Sequence, residues 1–190
     1  DFQGKMEISV SAGSICNFNK EAYNLLEGFE EFVKRKLLES PILHVDETGI
    51  NNNGDRHWLH SISNSLLTYF YPHKNRGNEA MDEMGVLPGY SGVLCHDHWK
   101  PYYRYDCIHA LCNAHHLREL ERAWEQDGQR WAKDMQTLLK EINIDVNASG
   151  GVLSFDKSIW YKGKYTEILE QGESECPKPE KKTEGRGKTK

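Results

Sequence analysis

Apolar positions recur every three to four residues between Asn19 and Glu39, at Ala22, Leu25, Leu26, Phe29, Phe32, Val33, Leu37 and Leu38, and this period predicts an amphipathic helix over 19–39. Ser40-Pro41 ends it, because the residue before a proline is pushed out of the helical region. The period then changes to two. Residues 42–50 predict a short strand ending in acidic residues, Asn51-Asn52-Asn53-Gly54-Asp55 is turn chemistry, and alternation resumes at 57–63, so the two runs predict a hairpin. The aromatic run Leu66 to Tyr71 predicts a third strand ending at Pro72. Three strands in succession predict an antiparallel meander.

Beyond the meander, residues 78–85 predict a short helix with Asn78 as its N-cap and Gly85 as its stop. Ser91 to Asp97 predicts a buried strand, Trp99 to Tyr105 is a short aromatic segment, and Cys107 to Cys112 predicts a fifth strand. Helical sequence follows from Asn113 through Trp124 and from Trp131 to Ile142. The order is β-β-β-α-β-α-β-α with further helix after it, and the chain has no internal repeat.

With 190 residues, 37 % of them hydrophobic, the chain is long enough for one α/β domain and an appendage. No apolar run reaches the length of a membrane span, and Asp1 to Lys5 lacks the basic start and apolar stretch of a signal peptide. Five irregularly spaced cysteines fit a reducing compartment better than a disulfide scaffold. A cytoplasmic location and no membrane partner are expected. The net charge of −5 argues against a protein that coats nucleic acid non-specifically. That charge is unevenly placed: from Lys178 to Lys190 six basic residues face two glutamates, a net +4, which leaves −9 on the rest. Residues 172–190 have little apolar surface to offset the entropy of ordering, and they read as a tail whose part 176–190 is a basic disordered linker. A start without Met and a linker-like end create the expectation that both ends continue in a longer protein.

Two aspartates stand at the ends of apolar strands, Asp46 after Ile42-Leu43-His44-Val45 and Asp97 after Val93-Leu94-Cys95-His96. If the first and fourth strands are neighbours, both carboxylates emerge on one rim. Hard oxygen ligands so placed suit Mg²⁺ or Mn²⁺, and a divalent pair about 3.5–4 Å apart activates a nucleophile and stabilises a leaving oxygen. The plainer alternative is a turn-forming or capping Asp at each strand end. Glu47 and Thr48 read as residues that position Asp46 and the turn. Arg76, Lys100, Arg104 and Arg118 are phosphate-contact candidates, and Trp99, Tyr102, Tyr103 and Tyr105 either stack on a base or fill the sheet–helix interface. Cys95, His96, His98, Cys107, His109, Cys112, His115 and His116 crowd one segment, which raises zinc. Cys112-x-x-His115 supplies half of such a site and no second half is evident.

Many ordered motifs carry a more specific signal: Ser40-Pro41-Ile42-Leu43-His44-Val45-Asp46-Glu47-Thr48-Gly49, Trp58-Leu59-His60, Thr68-Tyr69, His73 with Arg76-Gly77 and Glu79-Ala80-Met81, Gly85 to Gly92, Asp97-His98-Trp99, Tyr102-Tyr103, and Cys112-Asn113-Ala114-His115-His116-Leu117-Arg118-Glu119-Leu120. From about residue 7 to the tail the chain resembles transposases of the insertion sequence 66 family. The resemblance implies an α/β fold: a ribonuclease-H-like mixed five-stranded sheet with flanking helices, incomplete at the C-terminus, plus the start of a helical insertion. It implies a helical connector over 1–40, a partial catalytic core over 41–125 and the start of the insertion over 126–175. It implies an Asp-Asp-Glu triad using Mg²⁺ or Mn²⁺, bacterial double-stranded DNA at element ends and target as partner, and a homo-oligomeric transposition complex. Asp46 and Asp97 map onto the first two acids, and His115 and Arg118, with Arg76 and Lys100, become DNA-contact candidates.

The family's catalytic Glu lies in an Asn-Asn-x-Ala-Glu-Arg motif that this sequence does not contain. Glu119 is the lesser stand-in for it. The expectation is therefore a transposase catalytic-domain fragment, active in strand cleavage and transfer only as part of its parent. The rivals are a zinc-stabilised Cys/His binding module, a hydrolase using two carboxylates as general acid and base, and the product of a degenerate element.

Overall fold

In a computed structural model, residues 10–177 are described. The single helix predicted over 19–39 is two helices, α1 (Ala12–Leu25) and α2 (Glu27–Leu38). Ser11 starts α1 by accepting the Ser14 N–H at 3.0 Å, and at Leu26 the amide divides between the carbonyls of Ala22 and Tyr23, which closes it. Only Val33 and Leu37, one turn apart on α2, become buried, so the apolar period of α1 is left largely in solvent, with Leu25 84 % exposed.

Strands β1 (Ile42–Asn52) and β2 (Asp55–Ser63) form the expected hairpin, longer at the turn end than alternation alone indicates. Asn53 and Gly54 both take positive φ, 54° and 95°, the requirement of a two-residue type I′ turn, and Asn51 Oδ1 accepts the Gly54 N–H at 3.0 Å. Strand β3 (Thr68–His73) runs through Pro72, where the sequence had ended it. A missing N–H is tolerated there because β3 is the edge of the sheet. Helix α3 (Asn78–Glu83) has Gly77, not Asn78, in the N-cap position and no side-chain cap. Strand β4 (Val93–His96), a 3₁₀ turn (Lys100–Arg104) and β5 (Ile108–Leu111) follow.

The sheet order is β3-β2-β1-β4-β5, antiparallel from β1 to β3 and parallel from β1 through β4 to β5. A meander with two parallel strands added beside its first strand is the ribonuclease-H-like arrangement, a mixed five-stranded sheet with flanking helices. One sheet face is apolar: Leu43, Val45, Ile62 and Leu94 pack with Val33, Leu37, Met81, Met84, Val86, Leu87, Tyr90, Tyr102 and Tyr105. Alternation leaves His44, Asp46 and Thr48 of β1 on the other face, exposed.

Chain contacts define two compact units, one ending at Leu111 and one beginning at Cys112. The second holds α4 (Asn113–Asp127), α5 (Arg130–Ala148) and α6 (Phe155–Glu175), with Met135, Leu138 and Tyr161 at its core. Residues 172–175, assigned by the sequence to a tail, belong to α6. The reason is a tertiary cap: Glu175 Oε2 accepts the backbone N–H groups of Arg130 at 2.8 Å and Trp131 at 3.3 Å, placing a carboxylate on the N-terminus of α5. The basic segment 178–190 and residues 1–9 lie outside the described residues, as does most of the disordered linker expected over 176–190. Among the described residues no helix is long and apolar enough to cross a membrane.

Candidate active site

The parallel register of β1 and β4 pairs Ile42 with Val93, Leu43 with Leu94 and His44 with Cys95. Asp46 lies inside β1 rather than at its end, and Asp97 directly follows β4; each stands two residues beyond the last β1–β4 pair. Both carboxylates are oriented by local backbone donors: Asp46 Oδ1 accepts the Glu47 N–H at 2.9 Å, and Asp97 Oδ1 accepts the Trp99 N–H at 3.0 Å. On the antiparallel side of β1, Ser61 is the partner of Asp46, and its hydroxyl donates to the Asp46 carbonyl at 3.1 Å. The charges of Asp46 and Asp97 both act on the Tyr102 phenol, whose pKa burial and its neighbours push far above the ordinary value. The two side chains, one on β1 and one directly after β4, carry hard oxygen donors of the kind Mg²⁺ or Mn²⁺ takes.

Glu47 points the other way. Its side chain is 1 % exposed, and its Oε1 accepts from Arg76 Nε at 2.8 Å and Nη2 at 2.6 Å while its Oε2 accepts the Tyr102 hydroxyl. Burial pushes the Glu47 carboxyl up, and the bonds from Tyr102 and Arg76 oppose that push. The Arg76 guanidinium lies over the rings of Trp99, at 4.3 Å, and Trp58, at 4.9 Å, and Arg56 covers Trp58 at 4.6 Å. Arg76, a phosphate-contact candidate, has its guanidinium on Glu47 instead. The stack of Arg56, Trp58, Arg76 and Trp99 was not foreseen, since its members come from three separate segments.

The remaining candidates divide between the units. Lys100 opens the 3₁₀ turn after Asp97 and is exposed, and Arg104 pairs with Asp82 at 2.9 Å. His115, Arg118 and Glu119 lie on α4 in the second unit; Arg118 and Glu119 are exposed, and His115 Nδ1 is buried without a hydrogen-bond partner. Of the aromatic group, Tyr102 and Tyr105 are core, Trp99 packs against it, and Tyr103 is exposed. In the Cys/His segment His96 is buried, which pulls its pKa down, and its Nε2 meets His109 Nδ1 at 3.0 Å while His109 Nε2 faces the Tyr105 carbonyl at 3.1 Å. Among the described residues one trio of metal-type donors converges, His73, Glu79 and Glu83, within 4.8 Å of one another. Asn75 Nδ2 donates to Glu79 at 2.5 Å and the Tyr71 hydroxyl to Glu83 at 3.2 Å, so the carboxylates already have protein partners. The one-turn spacing of the two glutamates on α3 was the available sequence signal.

The model of the Transposase IS66 family matches residues 1–189. The chain belongs to the IS66 transposase family. No curated protein matches it. Two solved structures are similar at low identity. The HTLV-2 integrase catalytic core domain, in complex with magnesium and in dimeric form, is 12 % identical with a TM-score of 0.31, covering 67 % of this chain and 81 % of that one. A chain of the simian T-cell lymphotropic virus intasome in complex with the PP2A regulatory subunit B56 gamma is 10 % identical with a TM-score of 0.32, covering 67 % of this chain and 46 % of that one. The fold of this transposase-family chain is carried by its own sheet order.

Proposed function

We propose that this chain is the part of a DNA transposase in which Asp46 and Asp97 hold Mg²⁺ or Mn²⁺ for cleavage of element ends and strand transfer into target DNA. What supports the reading is that the parallel pairing of β1 and β4 ends two residues before each aspartate, in a chain of this family. When bound, the ions supply Lewis-acid charge neutralisation at the scissile phosphate. The protein's part is to hold: the Glu47 and Trp99 amides fix one oxygen of each carboxylate before any ligand arrives. Lys100, His115 and Arg118 are the proposed contacts to double-stranded DNA, whose phosphates take most protein hydrogen bonds at such interfaces, while Arg76 is engaged by Glu47. The Asn-Asn-x-Ala-Glu-Arg motif is absent from this sequence and Glu119 is the weaker stand-in, so strand transfer by this chain alone is not expected. The working assembly is proposed to be a homo-oligomer on DNA in the bacterial cytoplasm.

Mn²⁺ titration followed by calorimetry tests the reading. Asp46→Asn and Asp97→Asn are each expected to remove most of the binding while the fold is kept, since an amide oxygen still accepts the Glu47 or Trp99 N–H. Unchanged Mn²⁺ binding in the double variant overturns it. Stoichiometric zinc retained through purification favours the Cys/His module instead.

A further inference from the structure

Glu47 presents a physical puzzle. It follows Asp46 on the central strand, and alternation turns its carboxylate into the apolar face beside Val45, where an ionised group is costly unless it is paired and fully hydrogen-bonded. Replacing such a buried pair by apolar side chains of similar volume is often neutral or stabilising, so stability alone does not account for it. What the pair does have is directionality. From one carboxylate, two connections reach the loop that follows Asp97. The first runs through Arg76, bonded to Oε1 at 2.6 and 2.8 Å and lying over Trp99, whose backbone N–H holds Asp97 Oδ1. The second is the Tyr102 hydroxyl on Oε2, anchoring the 3₁₀ turn Lys100–Arg104. Trp58 on β2 lies against the same guanidinium, so Arg76 has an aromatic ring from each side of the site. Strand β4 itself is only four residues long and pairs with β1 over three positions, ending before Asp97. Main-chain pairing therefore stops short of the two acids, and the side chains of Glu47, Arg76 and Tyr102 take over where it ends.

We propose that Glu47 is a positioning residue that locks the loop after β4 onto β1 and so sets the separation and orientation of Asp46 and Asp97. The inference rests on the reading of those two aspartates as the metal ligands. Glu47 touches neither metal nor DNA; it acts through Arg76, Trp99 and Tyr102. A carboxylate accepting on both oxygens from a planar cation and a phenol fixes direction in a way that apolar packing does not.

The test is Mn²⁺ affinity of the full chain by electron paramagnetic resonance, alongside circular dichroism and thermal melting, for the wild type, Glu47→Gln, Glu47→Ala, Arg76→Lys and Asp46→Asn. Loss of an outer partner of a metal ligand typically weakens binding about 10–100-fold, and Glu47→Gln is expected near the lower figure and Glu47→Ala near the upper. Arg76→Lys, which keeps the charge but loses the planar fork, is expected to weaken binding with little change in melting. If Glu47→Ala melts too early to be read, Glu47→Gln and Arg76→Lys decide. Affinity within about twofold of wild type in the folded variants, with Asp46→Asn still abolishing binding, overturns the positioning role and leaves the site reading intact. Wild-type Mn²⁺ binding that ignores Asp46→Asn overturns the site reading itself.

Discussion

The carbonyl of Pro41 accepts the N–H of Val93 at 2.9 Å, and this bond opens the parallel pairing of β1 with β4, which ends two residues before Asp46 and Asp97. Gly92 sits in the approach. A Cβ at that position meets the Pro41 carbonyl oxygen at 2.9 Å and the Tyr90 ring at 2.7 Å, so neither backbone nor buried ring has room to retreat. Gly92→Ala is expected to cost about 1–3 kcal/mol in urea unfolding, as overpacking does, and to weaken Mn²⁺ binding in the fraction that remains folded. A melting curve equal to that of the wild type contradicts this account of the register.

Removing Arg76 leaves the Glu47 charge buried with only the Tyr102 hydroxyl. Breaking a fully buried pair costs about 3–5 kcal/mol, and because the Arg76 side chain is 39 % exposed, Arg76→Ala is placed at about 2–3 kcal/mol. The double variant Glu47→Met/Arg76→Leu is expected to recover most of that loss. Chemical denaturation of the two variants measures the difference, and equal stability for both denies the burial argument.

His60, 2 % exposed on β2, has its Nε2 at 3.3 Å from the Asn75 carbonyl, and burial lowers its pKa below the ordinary 6.5, with the charges of His73 and Arg76 adding to the effect. A depressed folded-state pKa means that the unfolded chain binds more protons on the acid side of 6.5, so the stabilising contribution is present above that pH and is lost as pH falls through the folded value. The buried His96 is shifted in the same direction. The melting temperature is expected to fall between about pH 7.5 and about pH 5.5, and to fall less in His60→Gln. An identical slope in the variant assigns the acid sensitivity elsewhere.

In the second unit, Glu175→Ala removes the carboxylate that caps α5. Loss of such a cap costs about 0.5–2 kcal/mol, and amide exchange at Arg130 and Trp131 should rise first. Glu175→Asp, one methylene shorter, is expected to recover little of it. Unchanged exchange at those two amides refutes the cap.

Local pattern carried much of the fold. The period of two at 42–50 and 57–63, with Asn-Gly between, determined the hairpin because strand alternation and turn chemistry are properties of neighbouring residues. The family was likewise legible, since many short motifs in one order identify it whatever their contacts. Where the sequence misjudged, a distant contact had intervened. Residues 172–175 are helical because Glu175 caps a helix that begins 45 residues earlier in the chain, and β3 passes through Pro72 because its position at the sheet edge makes the lost donor harmless.

The sequence by itself determined the strands and their chain order, set by residues within a few positions of one another; the end expected for the first strand near Asp46 is instead an interior position of β1. Only the tertiary structure decided that β1 and β4 lie side by side and parallel, and that Glu47 takes its partners from positions 76 and 102. Alternation shows that Glu47 must turn away from Asp46; it says nothing of what waits on the other face. That depends on loop closures of 29 and 55 residues, whose outcome is chosen by burial and hydrogen-bond satisfaction across the whole unit.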